Sequence, residues 1–295
     1  FMKRKKVLFF IIIICICTWV FLHFENNFIT ITKITVKSPK LPDAFDGCKI
    51  VHLSDLHSKE FGKGQKNIVK KIEDAQPDLI VFTGDLIDSR HFDAEVSLEL
   101  IRQIVKIAPT YFVTGNHEWC SGKFEFLEKV MKENNVHVLR NTCDRIGKGK
   151  DGIYITGIDD PVSTQAIYEE TKVVENEIKQ ALKEIKENDV FKILLAHRPE
   201  MLPLYSEYGF DLVLSGHAHG GQVRLPFIGG LIAPNQGFFP EYTSGEYKRG
   251  NCTMIVSRGL GNSIIPQRLF NHPENSCFNA VKRKRSILNF IQNRY

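Results

Sequence analysis

Short apolar runs alternate with amphipathic stretches along most of this chain, and one segment stands apart from that rhythm. Val7 to Leu22 is uninterrupted apolar sequence behind the basic cluster Lys3 to Lys6. At ~1.5 Å per residue it is slightly short for a ~30 Å hydrocarbon core, and flanking Phe24, Phe28 and snorkelling lysines make up the difference. No small-residue cleavage site follows it, so the pattern predicts an uncleaved signal anchor (7–22) behind a basic cytoplasmic N-terminus (1–6), with the body extracytoplasmic. Phe28 to Val36 alternates apolar and Thr/Lys positions, the signature of a half-buried edge strand within a linker (23–45) that contains Pro39 and Pro42.

From residue 46 the period switches repeatedly between two and 3.6. Strands are predicted at Cys48–Ser54, Asp78–Thr83, Thr110–Thr114, Val136–Leu139, Ile153–Ile158, Phe191–Ala196, Asp211–Ser215 and Thr253–Ser257. Helices are predicted at Lys66–Ala75, Ala94–Ile107, Phe124–Asn134 and Ser163–Asn188. Such alternation argues an α/β layered domain over residues 46–280, with helices outside a sheeted core, followed by a basic tail over 281–295.

Composition changes this picture in two places. The formal charge of +5 is concentrated in the two termini, which leaves a slightly acidic body. Nucleic-acid clamps need a basic surface, so no nucleic-acid partner is expected. Of the seven cysteines, Cys15 and Cys17 lie in the apolar run and the other five are widely spaced with no Cys-x-x-Cys, which argues against a disulfide framework and a cysteine zinc site.

The chemistry gathers where strands end. Asp55 and His57 follow the first strand of the body, Asp85 follows Gly84, and Asn116 and His117 follow Gly115. His197 closes a later strand, and Gly216-His217-Ala218-His219-Gly220-Gly221 closes another. The crevice beyond strand C-termini is the usual ligand site of α/β sheets. Carboxylate, imidazole and one amide together suit a pair of divalent metals that share a carboxylate. Two such cations bring a bridging water towards neutral pKa and screen charge on a phosphoryl group.

These blocks, in this order and spacing, resemble the calcineurin-like metallophosphoesterase superfamily. Ala218-His219-Gly220-Gly221-Gln222 and Ser257-Arg258-Gly259-Leu260-Gly261 are similar to its membrane-anchored bacterial YkuE/YaeI-like branch. The resemblance covers about residues 46 to 280 and implies a four-layer α/β/β/α sandwich of two mixed sheets. It also implies that Asp55, His57, Asp85 and His219 hold one metal and that Asp85, Asn116, His197 and His217 hold the other. His117 would contact the phosphate and protonate the leaving oxygen. Manganese, iron and zinc all suit this ligand set. The twin-arginine export signal of some relatives is absent.

Other residues carry weaker expectations. His52 reads as structural, and His91, His137 and His272 as surface residues. Glu118 is expected to orient His117 or to pack at the surface. Arg198, Arg258 and Arg268 are candidate phosphate contacts through their planar donor fork. Pro226 to Pro240 is unusually apolar for a loop; it reads equally as a buried cover over the sheet and as an exposed patch that grips lipid. The expected function is a membrane-anchored, dinuclear metal-dependent phosphoesterase acting on a mono- or diester, with a lipid-linked or nucleotide-sugar phosphate of the diacylglucosamine-nucleotide kind in view. The alternatives are a nuclease or protein phosphatase of the same fold, and a surface-displayed binding protein with a structural metal site.

Overall fold

The computed structural model describes residues 2–164, 169–187, 189–263 and 265–282. Helix α1 (Met2–Asn27) leads into β1 (Thr30–Ser38) and β2 (Cys48–Leu53), then α2 (Lys66–Ala75), β3 (Leu79–Thr83), α3 (Ala94–Ile104), β4 (Thr110–Val113), α4 (Asn116–Cys120), α5 (Phe124–Glu133) and β5 (Val136–Val138). The second half runs β6 (Thr142–Lys148), β7 (Asp151–Gly157), α6 (Glu170–Ala181), β8 (Lys192–Leu195), α7 (Leu202–Glu207) and β9 (Leu212–Ser215). Two small hairpins follow, β10 (Arg224–Leu225) with β11 (Gly229–Gly230) and β12 (Ile232–Ala233) with β13 (Gly237–Phe238). The chain then closes through β14 (Gly245–Arg249), β15 (Cys252–Val256) and β16 (Glu274–Lys282).

The long strands form two six-stranded mixed sheets, ordered β1-β16-β2-β3-β4-β5 and β14-β15-β9-β8-β7-β6. In the first, β2, β3, β4 and β5 run parallel and β16 is antiparallel to β2; in the second, β7, β8, β9 and β15 run parallel between antiparallel edges. Strand side chains alternate faces, and that alternation divides the core. Ile50, Val81, Val113, Ile155, Leu195, Leu214, Ile255 and Phe278 fill the space between the sheets. Leu53, Phe82 and Phe112 face outward against Ile68, Ile72, Ile101 and Leu127 of α2, α3 and α5. Leu194, Val213 and Met254 pack on Val174, Ile178 and Leu202 of α6 and α7. The result is a four-layer α/β/β/α sandwich. The strands β3 and β4 are buried at every position, as expected of parallel strands covered on both sides.

Three strands of the two large sheets escape the sequence reading. Strands β6 and β14 are polar sheet edges. Strand β16 lies inside its sheet yet buries Glu274, Asn275 and Ser276, so no apolar run announces it. The expected edge strand is present as β1, which pairs parallel with β16. The helix expected over Ser163–Asn188 is shorter: a 3-10 turn spans Pro161–Thr164 and α6 ends at Ala181. Its buried face reaches only from Val174 to Ala181, and a polar turn follows. Residues 165–168 and 188 of that expected helix lie outside the described residues, as does the basic tail beyond Lys282.

Helix α1 is longer than the apolar core of its sequence. Within Arg4–Asn27 an 18-residue stretch has mean hydropathy 2.8 and none of that stretch is buried, so the helix is long and apolar enough to cross a membrane.

His52 sits on the inner face of β2, fully buried, with Nε2 2.7 Å from Thr83 Oγ1. Burial pushes its pKa down from 6.5 to about 3. The unfolded chain therefore binds a proton below pH 6.5 that the folded chain refuses, so stability present above that pH is lost as pH falls towards 3. His52→Gln is expected to flatten urea-unfolding stability between about pH 6 and 4, removing up to ~1.4 kcal/mol per pH unit of acid sensitivity. An unchanged pH slope would show that His52 is not the acid-sensitive group.

Candidate metal centre

The loops after β2, β3, β4, β8 and β9 meet at one edge of the sandwich, and several of them adopt unusual backbone. Asp55, His57, Asp85, His217 and His219 all have positive φ, between 47° and 67°. Non-glycine residues rarely take this conformation and pay ~1–2 kcal/mol each for it. Five such residues at one edge turn their side chains back into a common pocket instead of continuing each strand.

Two groups form there. Asp55, His57, Asp85 and His219 each offer a ligand atom within 4.8 Å of the others, and so do Asp85, His197 and His217. Asp85 belongs to both. Its Oδ2 lies 3.3 Å from His197 Nε2 and 3.6 Å from His57 Nε2. His57 Nε2 and His219 Nε2 are 3.1 Å apart, and so are His217 Nδ1 and His197 Nε2. Asp55 Oδ1 is 3.4 Å from His219 Nε2. Asn116, at the start of α4, has a buried Oδ1 with no hydrogen-bond partner.

Protonation favours a cation in this pocket. Burial pushes His57 down to about 4, and His217 and His219 well below 6.5, so these imidazoles are neutral and keep a lone pair at physiological pH. Burial resists ionisation of Asp85 as well, but His197, His57 and His117 around it hold it well below the usual carboxylate range. Burial raises Asp55 to about 6. Burial opposes a charge on His197, yet Asp85, Asp55 and Asp160 together bring it up to about 10, the direction of an ion pair with Asp85. His197 Nδ1 lies 2.7 Å from the Thr83 carbonyl and donates to it, which turns Nε2 towards Asp85. Ionised carboxylate with neutral imidazole is the state that divalent cations require, so a cation here would take the place of the His197 proton beside Asp85. The donor set and the orphaned Asn116 oxygen fit two such ions sharing Asp85.

Several supporting residues went unassigned in the sequence. Glu118 is fully buried, neither at the surface nor on His117. Its carboxylate accepts N–H bonds from Gly115 (2.7 Å), Asp85 (2.8 Å), Leu86 (2.8 Å) and Ile87 (3.3 Å). It thus clamps the two loops that carry Asp85 and Asn116. Leu260 N–H and Gly261 N–H donate to the carbonyls of Ser54 (3.0 Å) and Asp55 (2.6 Å), which lock the loop after β15 onto the first ligand loop. Asn271 Nδ2 donates to the carbonyls of His219 (2.7 Å) and Gln222 (3.0 Å). Only the Glu after Asn116-His117 carried a sequence signal. Gly84 has φ +89°, and a Cβ there would collide with the Gly115 backbone, so glycine is obligatory where those loops cross.

The three arginines do not present the open fork expected of phosphate contacts. Arg198 is buried and paired with Asp160 through Nε (2.6 Å) and Nη2 (3.0 Å). Arg268 is fully buried and donates to the carbonyls of Gly261, Arg258 and Asn271. Arg258 gives Nη2 to Thr30 and sets Nε against Glu274. In each case acceptors within the fold take the guanidinium. His272 also departs from expectation: it is half-buried, 3.5 Å from Glu25 and edge-on to Phe24.

A carboxylate common to two imidazole clusters, beyond the strand ends of a four-layer sandwich, defines the class as a metal-site α/β hydrolase. The calcineurin-like phosphoesterase family profile matches residues 48–221, and the chain belongs to that family. It is 33% identical over 264 residues to the metallophosphoesterase YkuE of Bacillus subtilis (strain 168), covering 87% of each chain. It is 30% identical to a metallophosphoesterase of Aquifex aeolicus (strain VF5), covering 85% of this chain and 92% of that one. A transmembrane protein with metallophosphoesterase domain from Danio rerio is 28% identical over 83% of this chain and 55% of its own length. The protein is a phosphoester hydrolase, and its apolar α1 together with relatives named as transmembrane proteins points to a single-pass membrane protein.

Glu118→Gln places an amide N–H against the loop N–H groups. It is expected to weaken metal binding ~10–100-fold, as loss of outer-shell support does, while far-UV circular dichroism is unchanged. Unaltered metal titration would remove Glu118 from the site's support.

Proposed function

We propose that the protein is a membrane-anchored dinuclear phosphoesterase that hydrolyses a phosphate mono- or diester. Asp55, His57, Asp85 and His219 hold one divalent cation, and Asp85, Asn116, His197 and His217 hold the second. The observation that carries this reading is the single Asp85 carboxylate within reach of both imidazole clusters. Divalent cations, when bound, supply the Lewis acidity that polarises a phosphoryl group and makes water nucleophilic near neutral pH. Manganese, iron and zinc all fit such ligands. The ester is inferred to be lipid-linked, because α1 would keep the site beside a bilayer.

The chain's own residues supply the proton transfer. Ser89 N and Oγ lie 3.0 and 3.2 Å from His117 Nδ1, which leaves Nε2 as the ring nitrogen free to meet the substrate. His117 stands edge-on to His57 with ring centroids 4.5 Å apart, and it remains partly exposed. That orientation lets Nε2 of the imidazolium give a proton to the departing oxygen, leaving the neutral ring to recover one from solvent. Ser89 and the nearby Asp88, 3.9 Å from Nδ1, hold the ring in place.

Asp85→Asn is expected to strip bound metal, read by elemental analysis of the purified protein. Release of nitrophenol from bis-p-nitrophenyl phosphate with added manganese should fall ~10³-fold, the scale of one lost transition-state contact. Wild-type protein that carries metal but shows no turnover with any divalent ion would favour a structural site instead.

His117→Ala is expected to lose ~10²–10⁴-fold with phenyl esters and far less with p-nitrophenyl esters, whose leaving group needs no proton. Equal losses on both would dismiss His117 as the acid.

A further inference from the structure

The loop after the metal histidines is folded into two hairpins, and the tip of the first and the returning strand of the second leave their aromatic side chains open. Phe227 is fully exposed, Ile228 is 58% exposed, and Phe238 and Phe239 are 76% and 70% exposed. Phe270, on the neighbouring loop, is 57% exposed. Beyond residue 31, and among the described residues, every large apolar side chain left this open except Phe126 and the adjoining Leu225 lies in this group. The buried alternative for this loop therefore fails at these side chains, although Ala233 and Gly230 between them are buried.

The patch is tied on one side to the metal centre. His217 Nε2 lies 3.1 Å from Oδ1 of Asn235, in the turn between β12 and β13. Leu231 N–H donates to the Gly221 carbonyl at 3.1 Å, and a Cβ on Gly221 would strike the Gly230 backbone. The hairpins thus stand directly on the His217–Gly221 turn.

On the other side the patch is continuous with α1. Arg224 N–H donates to the Leu269 carbonyl at 3.0 Å, joining the first hairpin to the loop that carries Phe270. The Phe270 ring meets that of Phe21 at 5.9 Å, and Gln267 and Arg268 bond to Leu22 and Asn26. Phe21 lies four residues before Glu25, the first acidic residue of the helix, or ~6 Å along its axis. A ring against Phe21 is therefore level with the interfacial zone of any bilayer that α1 crosses, where aromatic side chains favour insertion to ~5–10 Å.

We propose that the tip of the first hairpin, Phe238 and Phe239 of the second, and Phe270 insert into the leaflet from which α1 emerges, so that the metal centre opens against the lipid surface. The substrate class is then a phosphate ester carried by a lipid headgroup, reached without leaving the membrane. The surface assignment stands on exposure and continuity with α1; the substrate assignment rests on the phosphoesterase reading above.

The test uses the full chain reconstituted in nanodiscs of phosphatidylethanolamine and phosphatidylglycerol with brominated acyl chains. In a Trp19→Phe, Trp119→Phe background, Phe227→Trp and Phe238→Trp are expected to be strongly quenched by bromine. Phe126→Trp, on α5 against the opposite edge of the sheet, is not. Loop tryptophans that are unquenched and reached by aqueous iodide would overturn the proposal. Loop tryptophans shielded from both quenchers would overturn it in favour of a protein partner. Replacing Phe227, Phe238 and Phe239 together by serine should lower hydrolysis of hexadecyl p-nitrophenyl phosphate held in the nanodisc about tenfold. Turnover of soluble bis-p-nitrophenyl phosphate should be unchanged. Equal effects on both substrates would refute lipid-surface access. If wild-type protein cleaves neither substrate, the phosphoesterase reading falls, while the quenching result decides the surface by itself.

Discussion

Two carboxylates buried among four imidazoles set the terms for everything around them. Asp55 and Asp85 are almost wholly removed from water, and an unpaired buried charge is among the most costly features a fold can hold. Neighbouring groups meet part of that cost: His197 leans on Asp85, and the His117 N–H donates to Asp85 Oδ1 at 2.9 Å. The remaining imidazoles are kept neutral by burial, so they cannot neutralise the pair themselves. Divalent cations satisfy the carboxylates and the imidazole lone pairs at once, which is why the donor set reads as a metal centre and not as a network of ion pairs.

The rest of the architecture serves to bring those groups together from both sheets. Asp55, His57 and Asp85 come from one sheet, and His197, His217 and His219 from the other. Hydrogen bonds fasten the halves across the gap, among them those from His197 to the Thr83 carbonyl and from His217 N–H to the Asp55 carboxylate. The left-handed backbone at five of these positions stores strain that Glu118, the loop after β15 and Asn271 hold in place. Such strain is tolerable only where the surroundings over-determine it, and here each ligand loop has a dedicated buried hydrogen-bond partner.

Much of the scaffold was legible from pattern. The parallel strands of both sheets are short apolar runs bounded by turn residues, and α2, α3 and α5 show helical periodicity. Strand β16 was not legible, since it buries Glu274, Asn275 and Ser276 in the sheet interior. There Glu274 finds Thr32 and the Arg258 N–H, partners that no local window contains. The arginines were misread for the same reason. A guanidinium looks free in sequence, and only the folded chain shows Asp160 waiting for Arg198 or a ring of carbonyls around Arg268.

The sequence alone determined the alternating layers, the apolar leading helix and the identity of the ligand-type residues, because periodicity and residue chemistry are local properties. Only the tertiary structure decided that Asp85 stands between two imidazole clusters, that Glu118 is a buried clamp, and that the loop after His219 turns its aromatic rings outward beside α1. Those are relations between segments far apart in the chain, set by which sheet faces which and by where each buried polar group finds its partner.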